Sequence, residues 1–94
     1  MIKSFKHKGL KLFWISGDSS KLSFEHIKTI RRILDTLDNA GTVPQDFLIF
    51  KNWRIHPLKG NYKGFWSLDV SGNWRIIFRF ENGNVFDVDY LDTH

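Results

Sequence analysis

The chain has 94 residues and no cysteine, so it is one domain without disulfides, thiolate nucleophiles or cysteine-based zinc sites. A 41% hydrophobic fraction with nine phenylalanines and four tryptophans predicts a globular domain with an aromatic core and excludes a disordered chain. The net charge is +4, but residues 1–80 carry +8 and residues 81–94 carry −4. A basic body favours a polyanionic partner, either nucleic acid or an acidic protein, or is a solvated surface that keeps the chain soluble.

The first half of the chain has helical character. Residues 2–5 read as a short strand, and residues 7–15 place apolar side chains at helical spacing. Residues 24–39 form the clearest helix, with Ser23 as its N-cap and Gly41 as its stop. Its expected buried stripe consists of Ile27, Ile30, Leu34 and Leu37, and a basic stripe on another face consists of Lys28, Arg31 and Arg32. Residues 42–50 are a connection with room for one helical turn.

The second half of the chain has strand character. Four apolar runs, at residues 53–59, 65–70, 73–81 and 84–91, are separated by glycine-containing turns. Asn82-Gly83, between the last two runs, is the strongest short-range signal for a β-hairpin. We therefore predict an α+β fold, in which two or three N-terminal helices pack on a mostly antiparallel sheet of four to five strands.

A two-residue turn at Asn82-Gly83 fixes the register of the last hairpin. Counting outward from it gives the pairs Ile77–Val88, Arg75–Tyr90 and Asn73–Asp92. Arg75, Tyr90 and Asp92 then share one face of the sheet, and His94 joins them if the strand continues. The register predicts a cation, an aromatic ring, a carboxylate and an imidazole at one end of the sheet, and a slip of one residue separates them. Spacing alone also allows a surface ion pair between Arg75 and Asp92.

The segment WRIHPLKGNYKG, residues 53–64, mixes cations with aromatic rings. Lys59 and Lys63 flank a glycine-containing loop with Tyr62 at its tip, and His56 precedes a proline, which marks an edge strand or a bulge. Cations hold phosphates and rings stack on bases, so this pattern suits single-stranded nucleic acid. The alternative is that the aromatic residues belong to the core.

The acidic end of the chain contains potential metal ligands. On a regular strand, however, Asp87 and Asp89 point away from Asp92 and His94, so the four residues share one site only if the strand has a bulge. We therefore expect no metal and no cofactor.

The sequence contains no recognisable targeting signal. The N-terminus has no apolar core of a signal peptide, and no stretch of about 20 apolar residues occurs. The expectation is a cytoplasmic protein that contacts no membrane.

Three segments together resemble the HigB toxins, members of the RelE/ParE toxin superfamily: MIKSFKHKGLK, WRIHPLKGNYKGFWSLDVSGNWRIIFRF and VDYLDTH. The resemblance runs from Met1 to His94 and is weakest over residues 16–50. It implies a RelE-like fold and a ribosome-dependent endoribonuclease that cuts translated mRNA. It also implies three partners: the 70S ribosome, mRNA and a HigA-like helix-turn-helix antitoxin. The toxin would contact operator DNA only through this antitoxin.

The resemblance also assigns catalytic residues by motif position. RNA is cleaved without metal when its own 2′-hydroxyl attacks the adjacent phosphate, which requires a base, an acid and cations. His56 and His94 match the family's motif positions and are assigned the two proton transfers. Arg75 and Lys59 hold the scissile phosphate, and Asp92 orients an imidazole or Arg75.

Tyr62, Lys63 and Thr93 complete the predicted RNA-binding set. The family commonly ends in Asp-Tyr-His, so Thr93 stands where relatives have a tyrosine. Either Tyr62 stacks on the substrate base instead, or cleavage is slower than in relatives that end in Asp-Tyr-His.

Two rival interpretations remain open at this point. A ParE-like toxin would use the same fold to inhibit DNA gyrase without catalysis, but such an inhibitor needs no imidazole pair, so His56 and His94 favour the nuclease. A catalytically inactive protein that binds RNA or an antitoxin is the third interpretation, and Thr93 keeps it open.

Overall fold

The computed structural model describes residues 1–93. The sheet has four antiparallel strands, and each strand pairs with the next one along the chain. The helices are α1 (Lys8–Ser16) and α2 (Ile27–Asn39), and the strands are β1 (His56–Pro57), β2 (Phe65–Ser71), β3 (Trp74–Glu81) and β4 (Asn84–Asp92). Short 3-10 turns occupy Phe24–His26, Gln45–Phe47, Lys51–Trp53 and Gly60–Tyr62. The predicted α+β arrangement, with helices first and an antiparallel meander after them, is confirmed.

Both helices pack on the same face of the sheet. Their fully buried residues include Leu10 of α1 and four residues of α2, namely Ile30, Ile33, Leu34 and Leu37. These side chains form one cluster with Leu68, Ile76 and Phe78 of the sheet. Ile33 was absent from the predicted stripe, and Ile27, which was included, is only half-buried. The other face, which α1 and α2 leave uncovered, is called the outer face below.

The edges of the sheet are shorter than the sequence predicted. Residues 2–5 form no strand within the described chain and make only single parallel bridges, from Ile2 to Val85 and from Phe5 to Val88. The apolar run 53–59 contributes only β1, because Lys51–Trp53 is a 3-10 turn. Proline in an edge strand offers no N–H to a neighbour, which is consistent with so short a pairing.

The second helical segment has the predicted bounds, residues 24–39, and Ser23 holds the N-cap position, but neither predicted cap has the expected geometry. It begins as the 3-10 turn Phe24–His26, and the Ser23 side chain makes no capping hydrogen bond there. At the other end α2 stops at Asn39 with Ala40 as its C-cap, one residue before the predicted Gly41. The backbone of Ala40 is extended, so the chain leaves the helix without the left-handed residue that favours glycine.

The hairpin between β3 and β4 is confirmed, but its register changes along the strands. Asn82 and Gly83 have φ of 50° and 80°, as a tight two-residue turn with a right-handed twist requires. The first three pairs, Glu81–Asn84, Phe80–Val85 and Arg79–Phe86, follow the predicted count. Beyond them the pairs are Ile77–Asp89, Ile76–Tyr90, Arg75–Leu91 and Trp74–Asp92, so the predicted pairs were wrong by one residue.

A bulge at Asp87 causes this shift. Asp87 has φ of 56°, its N–H donates to Ser4 Oγ at 2.8 Å, and its carboxylate lies 2.9 Å from Arg79 Nε. An extra residue in one strand exchanges the faces of every later side chain. Tyr90 is therefore buried on the helix side, and the prediction that Arg75, Tyr90 and Asp92 share one face is wrong.

Candidate functional site

A cleft of about 310 Å³ lies on the outer face, where the four strands run side by side. We call it the outer cleft. Ser67 and Ile77 contribute to it from β2 and β3 and are themselves 2% and 1% exposed. Its other lining residues are Arg54, His56, Leu58, Tyr62, Arg75, Leu91 and Thr93. The outer cleft thus brings together four of the predicted site residues: His56, Tyr62, Arg75 and Thr93.

His56 is the first residue of β1 and is exposed to solvent. Its Nδ1 lies 2.8 Å from the backbone carbonyl oxygen of Arg54. A carbonyl oxygen only accepts hydrogen bonds, so Nδ1 donates and carries a proton. In the neutral imidazole Nε2 is then unprotonated and able to accept a proton. The local backbone therefore fixes the tautomer that a general base requires.

Arg75 is held in place by three neighbours. Its Nε lies 2.9 Å from Asp69 Oδ1, and its Nη1 donates to the carbonyl oxygens of Gly72 and Trp74 at 2.6 and 2.9 Å. Only 15% of its side chain is exposed. None of the hydrogen bonds in the described part of the chain uses Nη2 of Arg75. A guanidinium fixed in this way can present its remaining donors to an anion without losing further side-chain entropy.

Arg54, which lines the outer cleft, and Asp69, which pairs with Arg75 beside it, were not among the predicted site residues. Asp69 Oδ2 lies 2.5 Å from Arg54 Nε, and Asp69 is the cross-strand partner of Arg75. The alternation of FWSLDV contained the signal, because Ser67 and Asp69 are its polar positions and are two residues apart, on one face of the strand. Without the β2–β3 register, this signal did not show that Arg75 lies opposite Asp69.

Thr93 is anchored at the end of the sheet. Its backbone N–H and its hydroxyl both donate to the carbonyl oxygen of Asn73, at 2.9 and 2.8 Å. The hydroxyl at this position thus has a structural partner, which a tyrosine ring could not replace in the same geometry. Because of the Asp87 bulge, Thr93 rather than Asp92 points into the outer cleft.

The remaining predicted residues lie elsewhere or cannot be placed. Asp92 is on the helix side of the sheet end and lines a separate depression with Trp74 and His26. Lys59 and Lys63 are exposed beside the 3-10 turn Gly60–Tyr62 and do not line the outer cleft. His94 lies outside the described residues.

Behind the site, on the helix side, three aromatic rings support the end of β4. His26 is 6% exposed, and its Nδ1 lies 2.6 Å from the hydroxyl of Tyr90. The rings of Trp74 and Tyr90 stack with centroids 4.6 Å apart. Burial raises the pKa of Tyr90, because desolvation disfavours the phenolate. No pattern in the sequence indicated this contact, since a lone histidine in the first turn of a predicted helix gives no signal of a partner 64 residues away.

Two further observations concern metal and membrane. Within residues 1–93, no three histidine, cysteine, aspartate or glutamate side chains are grouped as metal ligands would be. No helix in that part of the chain is both long enough and apolar enough to cross a bilayer.

Comparisons with known proteins identify the family and the fold of the chain. Residues 3–94 match a family model described as the RelE-like toxin of type II toxin-antitoxin system HigB. A Proteus vulgaris protein named endoribonuclease HigB is 42% identical over 94 residues, which cover both chains completely. A crystal structure of a YafQ mutant from E. coli superposes with a TM-score of 0.63 at 17% identity, covering 96% of this chain and 89% of that one. A chain of the YoeB–YefM complex from Staphylococcus aureus gives a TM-score of 0.58 at 16% identity, covering 97% of this chain and 95% of that one, so the chain shares the fold of these two structures.

Proposed function

Because the chain belongs to the HigB-like family of RelE-like toxins of type II toxin–antitoxin systems, we propose that it is an endoribonuclease which cleaves mRNA on the translating ribosome. The observation that carries this proposal is the outer cleft, in which a histidine of fixed tautomer and a fixed arginine line one open groove. The name of the 42% identical relative supports the same activity.

The first step is attack of a ribose 2′-hydroxyl on the adjacent phosphorus. His56 Nε2 takes the proton of that hydroxyl as general base, since Nδ1 is already engaged with the Arg54 carbonyl. The oxygen–phosphorus bond to the next nucleotide then breaks. The products are a 2′,3′-cyclic phosphate and a 5′-hydroxyl. The step consumes no water molecule and requires no metal ion.

The second proton transfer delivers a proton to the departing 5′-oxygen. With His56 as base, His94 is assigned the role of general acid from its motif position. Asp92, at the end of β4, is assigned by the same motif to orient an imidazole. This role replaces the predicted contact with Arg75, which faces the other side of the sheet.

The charge that develops on the phosphoryl oxygens requires cations. Arg75 supplies a positive charge from within the outer cleft. Because its guanidinium is already fixed, the side chain does not have to reorganise during the reaction. Lys59 and Lys63, exposed beside the cleft, hold neighbouring phosphates. Tyr62 is the ring that lines the cleft, so it is the residue that stacks on a substrate base in place of the family's tyrosine at position 93.

The outer cleft is open and has few groups that could bend an RNA strand into the geometry for in-line attack. The 70S ribosome supplies this alignment, so the free protein cleaves naked RNA poorly. Its place of action is therefore the cytoplasm. A type II toxin has an antitoxin partner, and the partner here is a HigA-like helix-turn-helix protein that alone contacts operator DNA.

The test is cleavage by the purified protein of one mRNA, either naked or bound to programmed ribosomes. We expect cleavage on ribosomes with a 5′-hydroxyl at the new end, and cleavage of naked RNA that is slower by orders of magnitude. Mapping RNA 5′ ends after induction in cells provides the second measurement. Growth arrest with intact mRNA and with gyrase-dependent DNA breaks would contradict the proposal and favour a ParE-like inhibitor.

A further inference from the structure

The carboxylate of Asp69 lies between two arginines of the outer cleft. Its Oδ2 is 2.5 Å from Arg54 Nε, and its Oδ1 is 2.9 Å from Arg75 Nε. Arg75 faces Asp69 across the sheet, whereas Arg54 comes from the turn before β1. The Arg75 side chain is 15% exposed and the Arg54 side chain is 68% exposed. One carboxylate therefore connects a fixed guanidinium to an exposed one.

A carboxylate is unexpected beside a cleft that receives a polyanion, because it repels phosphate at close range. Here it is flanked by two guanidiniums, so the group of three remains positive. Both arginines use Nε toward Asp69, and within residues 1–93 no hydrogen bond uses the Nη atoms of Arg54 or Nη2 of Arg75. These are the donors that bind phosphate oxygens in pairs.

Oδ1 of Asp69 is buried and depends on the charge of Arg75. The two atoms form an ion pair at 2.9 Å, but no donor of the described chain reaches Oδ1 with hydrogen-bond geometry. Replacing Asp69 with asparagine keeps the shape and removes the charge. It also brings amide hydrogens close to a guanidinium, so the contact changes from attraction to mild repulsion.

Arg54 also contacts His56. It has φ of 44°, a left-handed conformation that costs free energy in a residue with a Cβ, and its carbonyl accepts the hydrogen bond from His56 Nδ1. The ion pair with Asp69 restrains the same residue through its side chain. Asp69 is thereby connected to both arginines directly and to the imidazole of His56 through the backbone of Arg54.

We infer that Asp69 is a positioning residue that holds Arg54 as a second phosphate-binding arginine beside Arg75. This inference rests on the proposed endoribonuclease function. It adds a specific claim to that function: the cationic side of the outer cleft is a pair of arginines joined by one carboxylate.

The test is a double-mutant cycle of Asp69→Asn and Arg54→Gln. Single-turnover cleavage is measured on programmed ribosomes, as the rate at saturating toxin and as the toxin concentration for half-maximal rate. Each single variant is expected to cleave roughly tenfold more slowly than the wild type. Loss of a preorganised buried donor typically lowers the rate by ~10²–10³-fold. The expected effect is smaller here because the Arg54 side chain is exposed. The double variant is expected to be no slower than the worse single variant, since both changes remove the same contact.

Two readouts separate positioning from a merely structural role. The toxin concentration for half-maximal rate should not change, because neither substitution alters a residue outside the outer cleft and its immediate support. The Tm of Arg54→Gln should equal that of the wild type, because the Arg54 side chain is 68% exposed. Arg54→Lys is the second variant in case Asp69→Asn does not fold. It keeps the charge but loses the planar fork, and the same tenfold loss is expected.

Glu81→Gln is the matched control. Glu81 forms an exposed ion pair with Arg79 at the other end of the outer face, so the cleavage rate of this variant should be unchanged.

Losses that multiply to roughly a hundredfold in the double variant would overturn the inference, because the two residues would then act independently. A wild-type rate in Arg54→Gln would overturn it as well. Absence of cleavage by the wild-type protein on programmed ribosomes would overturn the proposed function and, with it, the phosphate contact of Arg54. The wild-type reaction in the same experiment therefore distinguishes the two failures.

Discussion

The two faces of the sheet keep their residues in place by different interactions. On the helix side, Leu68, Ile76 and Phe78 are fully buried and are held by packing. On the outer face, His56, Asp69 and Arg75 are held by hydrogen bonds and ion pairs and remain open to solvent to different degrees. A buried apolar face contributes most of the stability of a small domain, whereas partly exposed polar groups contribute little. Substitutions on the two faces should therefore separate activity from stability.

The largest effect should come from the outer face. His56→Ala removes the proposed base, and general bases contribute typically about 10²–10⁴-fold, so cleavage on programmed ribosomes should fall by that factor. Because His56 is exposed, the urea midpoint should not move. His7→Ala is the control, since this half-buried histidine caps α1 on the other side of the sheet, and it should lower stability while cleavage by the folded protein persists. A His56→Ala protein that cleaves at the wild-type rate would show that the base has been misidentified.

Phe78→Ala should show the opposite pattern. Phe78 is fully buried and its ring centre lies 5.9 Å from that of Phe47, and truncation of such a residue costs about 3–5 kcal/mol of unfolding free energy. That is a large share of the roughly 5–15 kcal/mol available to a domain. The milder Phe78→Leu should remain folded and cleave at the wild-type rate, because the side chain faces away from the outer cleft. Loss of cleavage in folded Phe78→Leu would show that substitutions on the two faces do not separate activity from stability.

Tyr90→Phe tests the support beneath the end of β4. It leaves buried His26 without its 2.6 Å partner, which should cost about 1–3 kcal/mol in urea unfolding at neutral pH. The pKa of Tyr90 is raised in the folded state, so its contribution to stability is present below pH 10, the ordinary tyrosine value, and is lost as the pH rises through the folded value. The stability gap between wild type and Tyr90→Phe should therefore narrow above pH 10. Tyr62→Phe, at an exposed tyrosine, is the control, and an equal narrowing there would contradict this account.

Asp87→Val tests the bulge that separates the faces. A β-branched residue at φ of 56° costs roughly 1–2 kcal/mol more than at an ordinary φ, whereas asparagine tolerates the left-handed conformation. Asp87→Asn loses only a half-exposed ion pair with Arg79 and should be closer to the wild type in urea unfolding. Equal losses in both variants would mean that the conformation of Asp87 is not what stabilises the bulge. Amide contacts between Arg75 and Leu91 in NMR spectra report whether the register is kept.

The sequence predicted the parts of the fold that follow from regular repetition. The periodicity of α2, the alternation of the strands and the Asn82-Gly83 turn together gave the α+β order and the meander. The sequence did not predict the Asp87 bulge. The bulge depends on a contact with Ser4, which is distant in the chain, and on a contact with Arg79, which lies across the hairpin. A single extra residue was enough to exchange the faces of Tyr90 and Leu91.

The same limit applies to the candidate site. Motif positions found His56, Arg75 and Thr93, and the pattern of cations and rings found Tyr62; all four line the outer cleft. Lys59 and Asp92, which the motifs also gave, do not line it. Motifs carry no information on the ion pairs that hold such residues, so Asp69 was missed. The hydrogen bond between His56 Nδ1 and the Arg54 carbonyl depends on a left-handed turn after a 3-10 helix, which no local pattern in WRIHP indicates.

The central claim is that the outer cleft cleaves RNA through the substrate's own 2′-hydroxyl, with His56 as the base. The most direct test uses ribosome-bound mRNA in which the nucleotide on the 5′ side of the mapped cleavage site carries a single 2′-deoxy substitution. Our account predicts that cleavage of that bond is abolished, while the all-ribose mRNA is cut to a 2′,3′-cyclic phosphate and a 5′-hydroxyl. Cleavage of the 2′-deoxy bond at the all-ribose rate would contradict it, because the nucleophile would then not be the 2′-hydroxyl.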